Sequence, residues 1–212
     1  MKNQLKTSIF SVIKRGHYLY YFISWLITLF EDYKIAKMRM DKTIFSEYKD
    51  AYPSQSISYY YLNLFVEKVK LDSDDVFVDV GSAWGRMIGY LKQHTSISEF
   101  IGVELNKEIA SLSKKIFLND DNVKIISGNI VDNIPKNATV FYLFNPFNEV
   151  IMEKFLDAIE HNIEHPVRIL YLYPTCKSVF DRRSTKWTLT NRYILKPKHM
   201  GELELIEYRY IP

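Results

Sequence analysis

Cysteine is almost absent from this chain. Cys176 is the single thiol in 212 residues, so neither an internal disulfide nor a thiolate zinc cluster can staple the fold, and a reducing compartment is expected. Glycine and proline are scarce, seven of each, and no segment repeats; this excludes Gly/Ser or Pro-rich linkers, low-complexity tails and solenoids. The five histidines lack paired metal spacing. His161 and His165 stand four apart, but Pro166 marks a helix end there. No Gly-x-Ser-x-Gly occurs, and no histidine lies near Cys176 in sequence, so the usual signatures of nucleophilic catalysis are missing too.

Charge of one sign is also in short supply. The net charge is only +3, with nine Lys and Arg against five Asp and Glu in residues 1 to 50 and near neutrality beyond. That is a weak footprint for a nucleic-acid enzyme, and a phosphate-rich substrate is not favoured. No apolar run is long. The longest, YLYYFISWLITLF from Tyr18 to Phe30, would span about 20 Å as a helix against roughly 30 Å for a bilayer core. Glu31, Asp32 and Tyr33 follow it without a small-residue cleavage site, which argues against a signal peptide. Two readings stay open: a helix packed on the rest of the protein, or an interfacial helix on a membrane surface, with a cytoplasmic or inner-membrane-surface location.

What the chain does hold is apolar and aromatic: 47% of its residues are hydrophobic and 15% aromatic, enough for one sizeable core. Apolar residues at helical spacing predict a helix over 54–70, and β-branched VFVDV over 76–80 predicts a strand. Helices are expected over 86–94, 107–118 and 150–162, and strands over 100–105, 123–127, 138–144 and 167–173. Strands recurring between helices imply parallel βαβ crossovers. The ending differs: WTLTNRYIL (187–195) and ELELIEYRYI (202–211) leave no room for a crossover helix and predict an antiparallel hairpin.

The stretch VFVDVGSAWGR, residues 76 to 86, puts Gly81 and Gly85 around a tight strand-to-helix turn and Asp79 near the end of the strand. It resembles the first motif of class I S-adenosylmethionine-dependent methyltransferases, acidic-x-Gly-x-Gly-x-Gly, with Ala83 in place of the middle glycine. That methyl is tolerated where the residue keeps a negative φ. A dinucleotide-binding dehydrogenase would instead require glycines at Ala83 and Arg86, and an arginine suits poorly a position where helix presses on strand. The other competing reading is a simple turn.

The resemblance implies an α/β, Rossmann-like seven-stranded, mainly parallel sheet with a C-terminal antiparallel hairpin, residues 51–212, preceded by a helical extension, residues 1–50. It implies S-adenosyl-L-methionine as cofactor, held by Asp79, Gly81, Ala83 and Gly85. Glu104, with Leu105 after it, falls where an acid accepts the two ribose hydroxyls. Gly128-Asn129 replaces the family's Gly-Asp pair, making Asn129 the adenine contact and Ile130 the residue packed on its face. Asn145, Pro146 and Phe147 resemble the Asn-Pro-Pro-Tyr/Phe motif of amino-group methyltransferases, shortened by one proline. They would form the acceptor site, Asn145 taking hydrogen bonds from an amine; the competing reading is an Asn-Pro turn. The segment AYPSQSISYYYL, 51–62, is similar to a Tyr-x-Pro-Ser/Thr segment of small methyltransferases, some of which modify protein lysines. The expected partner is thus a methyl acceptor: a protein amine, small amine, glycan or lipid headgroup. A noncatalytic scaffold with the same fold is the alternative.

Overall fold

The computed structural model describes residues 2–38, 40 and 56–212, with the side chains of residues 2–17 left aside. Helix α1 (Lys2–Ala36) leads into α2 (Tyr59–Lys68), after which strands and helices alternate. These are β1 (Val76–Val80), α3 (Arg86–His94), β2 (Glu99–Glu104), α4 (Lys107–Ile116), β3 (Val123–Ser127), β4 (Val140–Phe144), α5 (Glu149–Asn162) and β5 (Val167–Leu172). A short helix α6 (Lys177–Asp181) precedes the hairpin β6 (Trp187–Leu195) and β7 (Leu203–Tyr210). The seven strands form one sheet in the order β3-β2-β1-β4-β5-β7-β6, parallel as far as β5 and antiparallel at β7 and β6.

The two-residue period of the strands feeds two cores. Val78 and Val80 of β1, with Phe141 and Leu143 of β4, point to the face covered by Met152, Phe155 and Leu156 of α5. Phe77 and Tyr142 point the other way, against Leu62 and Phe65 of α2 and Ile88 and Leu91 of α3. Burial on both faces explains why these strands read as continuous apolar runs rather than as alternations. The parallel sheet and closing hairpin match the fold expected from sequence. Helix α2 is shorter than the 54–70 pattern, ending where Val69 turns extended at φ −94° and ψ 120°.

The N-terminal helix departs most from expectation. It runs for 35 residues instead of the thirteen of the apolar run. The stripe Tyr20, Ile27, Glu31 and Ile35 lies at 3.6-residue spacing. Ile27 and Ile35 of that stripe pack onto the α2/α3 core. Asp32 is fully buried. It accepts two hydrogen bonds from the Arg86 guanidinium, at 3.0 and 2.8 Å, and others from the Tyr59 hydroxyl and the Met40 amide. Arg86 also donates to the Ile57 carbonyl and lies over the Tyr59 ring. An arginine is therefore accommodated at the start of α3, because an acid from the extension neutralises it. The expected boundary at residue 50 and residues 51–55 of the Tyr-Pro-Ser segment lie outside the described residues, but α1 and α3 share one core.

Candidate cofactor site

The carboxyl ends of β1, β2 and β4 converge on one point. Gly81 and Ser82 donate their amides to the Val103 carbonyl, and Gly85 donates to Ser82, closing the turn that leads into α3. Three of its residues are left-handed: Gly81 at φ +77°, Ala83 at +48° and Gly85 at +83°. Glycine is required at both ends. A Cβ on Gly81 would lie 3.3 Å from Pro146, and one on Gly85 would lie 2.4 Å from the Phe117 ring. Ala83 corrects the expectation of a negative φ: the middle position keeps the left-handed backbone that the missing glycine would favour, at a cost of order 1 kcal/mol. Part of that is offset by burying the Ala83 methyl with Trp84, Met40 and Ile109.

Glu104 ends β2 beside this turn. Its carboxylate accepts from the Ala83 amide at 2.9 Å and the Asn106 amide at 2.8 Å, one contact per oxygen, so each oxygen keeps a further lone pair. Burial raises its pKa, while the amides of Asn106, Ala83 and Leu105 pull it back down. Leu105 thus enters through its backbone. Asn106, which the sequence reading passed over, caps α4 by accepting from the Glu108 and Ile109 amides and so fixes the chain where Glu104 leaves the strand. An Asn just before a helical pattern is a legible cap signal.

Asp79 is buried within β1, two residues before Gly81. Its carboxyl is pushed up to about 8, first by desolvation and then by the negative charge of Glu104. Tyr142 pairs with it in the β1/β4 register; its hydroxyl is buried without a partner and its pKa is raised by the same burial and by Asp79.

Two further expected contacts serve the chain itself. Gly128 donates its amide to the Glu104 carbonyl, which brings Asn129 to the site, but the Asn129 side-chain oxygen caps its own 3-10 turn by accepting from the Val131 amide at 3.1 Å. Ile130 is buried in the α5-side core.

The Asn145–Phe147 loop changes more. Asn145 is left-handed at φ +44°, and its side-chain oxygen accepts from the Tyr171 hydroxyl at 3.1 Å and the Thr175 hydroxyl at 2.5 Å. The oxygen expected to receive an amine is already filled by two donors. Phe147, expected to face the acceptor, is buried with its ring against Phe155 at 5.7 Å. Pro146 does meet the glycine turn, through Gly81. Tyr171 and Thr175 had no local sequence signal, since they reach Asn145 from 26 and 30 residues away. Tyr173, at φ +53°, makes the loop after β5 the third at this edge to hold a left-handed non-glycine residue, after those of Ala83 and Asn145.

The residues fit an adenosylmethionine: two free lone pairs on a fixed carboxylate suit a ribose diol, and glycines at both ends of the turn, with no side chains there, leave room for a close approach. Among the described residues no group of His, Cys, Asp or Glu is arranged to hold a metal ion.

Residues 54–128, from the approach to α2 through the end of β3, match the family model described as histone methylation protein DOT1. No curated protein matches the chain in sequence. Among solved structures, the tRNA methyltransferase TrmK of Bacillus subtilis superposes with a TM-score of 0.58 at 14% identity, over 72% of this chain and 65% of that one. The mitomycin 7-O-methyltransferase MmcR gives 0.57 at 12% identity, over 71% and 53%. YhhF of Escherichia coli gives 0.53 at 14%, over 82% and 94%. These likenesses establish the fold and leave the acceptor open. Sheet order, glycine turn and solved structures converge on the fold of the class I S-adenosylmethionine-dependent methyltransferases, and the family-model match over residues 54–128 agrees with it.

Proposed function

We propose that this protein transfers a methyl group from S-adenosylmethionine to an amino group on a protein. The observation that carries the reading is the Glu104 carboxylate, fixed by the Ala83 and Asn106 amides with one lone pair free on each oxygen. Glu104 would hold the ribose hydroxyls, the Gly81–Gly85 turn the amino-acid end, and the loops bearing Asn129 and Pro146 the two sides. When bound, the cofactor supplies an electrophilic methyl on a positively charged sulfur. The chain's own contribution is then alignment and exclusion of water, which can be worth several kcal/mol.

The amino-group acceptor is supported by the family description of residues 54–128 and by the loop after β4. That loop acts differently from the arrangement its motif implied. Tyr171 and Thr175 hold the Asn145 side chain, which fixes the left-handed backbone so that main-chain carbonyls of the loop are left to orient an amine. Burial holds the Tyr171 hydroxyl above the usual tyrosine range, so it serves as a donor and not as a base.

Calorimetry with adenosylmethionine should show binding that Glu104→Ala weakens by about 1.5 to 3 kcal/mol, the loss of hydrogen bonds to a charged acceptor. Binding of a nicotinamide dinucleotide in its place would overturn the assignment. A labelled-methyl assay on fractionated extract should put label in protein; label confined to lipid or small molecules would remove the protein acceptor. Cofactor binding with no transfer to any fraction would mark a noncatalytic scaffold.

A further inference from the structure

Helix α1 has two apolar sides, and the fold uses one. On the inner side Tyr20 meets the rings of Tyr60 and His199 at 5.4 and 5.3 Å, Ile27 and Ile35 enter the α2/α3 core, and Gly89 of α3 gives Ile35 its room. On the other side Tyr18, Leu19, Phe22, Trp25, Leu26 and Phe30 face outward, with Tyr18 at 73% and Phe30 at 64% exposure. At 100° per residue these six fall within one half of the helix circumference. So large a contiguous apolar face is not a feature of an isolated soluble surface.

The charges around it select the occupant. Up to Phe30 the sequence contains four Lys and Arg and no Asp or Glu. The acids that follow are engaged within the chain: Glu31 with Lys34, and Asp32 with Arg86. Lys37 is left as the exposed basic charge at the C-terminal end of the face, over the ring of Tyr33. A second copy packed on this face, in either direction, would bring basic flank against basic flank. An anionic lipid surface accepts both basic ends and the apolar face together, with tyrosine and tryptophan at headgroup depth. Among the described residues no helix is long and apolar enough to cross a membrane.

We propose that the outward face of α1 seats the protein on an anionic lipid surface, with the helix lying in the plane of the headgroups. The chain carries its own reporter. Of its three tryptophans, Trp84 and Trp187 are buried and Trp25 is on the face. With the full chain and vesicles containing phosphatidylglycerol, Trp25 emission should shift to the blue and be quenched by brominated acyl chains. Affinity should be at least tenfold above that for pure phosphatidylcholine and should fall with added salt. The double variant Phe22→Ser/Leu26→Ser, altered only at exposed positions, should keep its circular dichroism and lose at least tenfold in vesicle affinity. Absence of vesicle binding by the unaltered chain, equal binding to neutral and anionic vesicles, or undiminished binding by a folded double variant would each overturn the proposal. So would self-association in sedimentation that the same variant abolishes, since a second copy would then be the occupant.

Discussion

The Asp32 carboxylate and the Arg86 guanidinium, 54 positions apart in sequence, are joined by two hydrogen bonds in a place almost closed to solvent. Arg86 is the residue immediately after the last glycine of the turn, so the N-terminal helix is tied to the start of α3 at the edge of the candidate site.

Breaking a buried pair on one side strands a charge. Asp32→Ala should therefore lower stability by about 3 to 5 kcal/mol, read from the urea midpoint, and the double variant Asp32→Leu/Arg86→Met should recover part of it, since neither charge is then left alone. A double variant less stable than Asp32→Ala would refute this account.

Gly85 faces two penalties at once. Gly85→Ala should cost at least 2 kcal/mol: one part from φ +83°, the other from the 2.4 Å approach to Phe117. Shrinking the neighbour in Gly85→Ala/Phe117→Leu should relieve only the steric part, leaving about 1 kcal/mol of backbone strain in a double-mutant cycle.

Asp79 gives stability a pH dependence of defined sign. Its folded pKa, about 8, lies above the unfolded value, so the native state holds the extra proton and stability falls as pH rises from about 4 towards 8. Asp79→Asn removes that dependence. Its stability relative to the parent should rise across this window and level off above it. Chemical denaturation at pH 4, 6 and 8.5 checks the trend, and an unchanging difference would show that Asp79 is not protonated in the fold.

At Asn145, backbone and side chain can be separated. Asn145→Ala loses the contacts to Tyr171 and Thr175 and keeps the strained φ, so it should destabilise by about 1 to 2 kcal/mol. Asn145→Gly loses the same contacts but relieves the strain, and should be the more stable of the two. If the loop aligns the acceptor, both should bind adenosylmethionine nearly as well as the parent and transfer methyl at least tenfold more slowly, a change of about 1.4 kcal/mol in the barrier.

Sequence reading reached the sheet because its signals are local. VFVDV, FIGVEL and VRILYLY are apolar runs of strand length, and the absence of a crossover helix between WTLTNRYIL and ELELIEYRYI dictates the hairpin. Gly81, Gly85 and Glu104 were legible for the same reason: each sits at a fixed distance from a strand end. What escaped was every role set by a distant partner. Asp32 acquires its function from Arg86, Asn145 from Tyr171 and Thr175, and Phe147 from Phe155. Ala83 escaped differently, because its φ is imposed by the closure of the whole turn and not by its own preference.

The place of β7 bears on how the sheet is assembled. It lies between β5 and β6, so β6 reaches the sheet only through a strand that follows it in the chain. A chain emerging N-terminus first completes β5, with Ile169 to Leu172 on an unpaired edge, and holds it open while β6, the hairpin turn and β7 emerge. During that interval hairpin closure competes with pairing to the same edge of another nascent chain. Soluble yield would then follow the rate at which the hairpin docks, so slower synthesis at low temperature and low expression should help more than any increase in native stability.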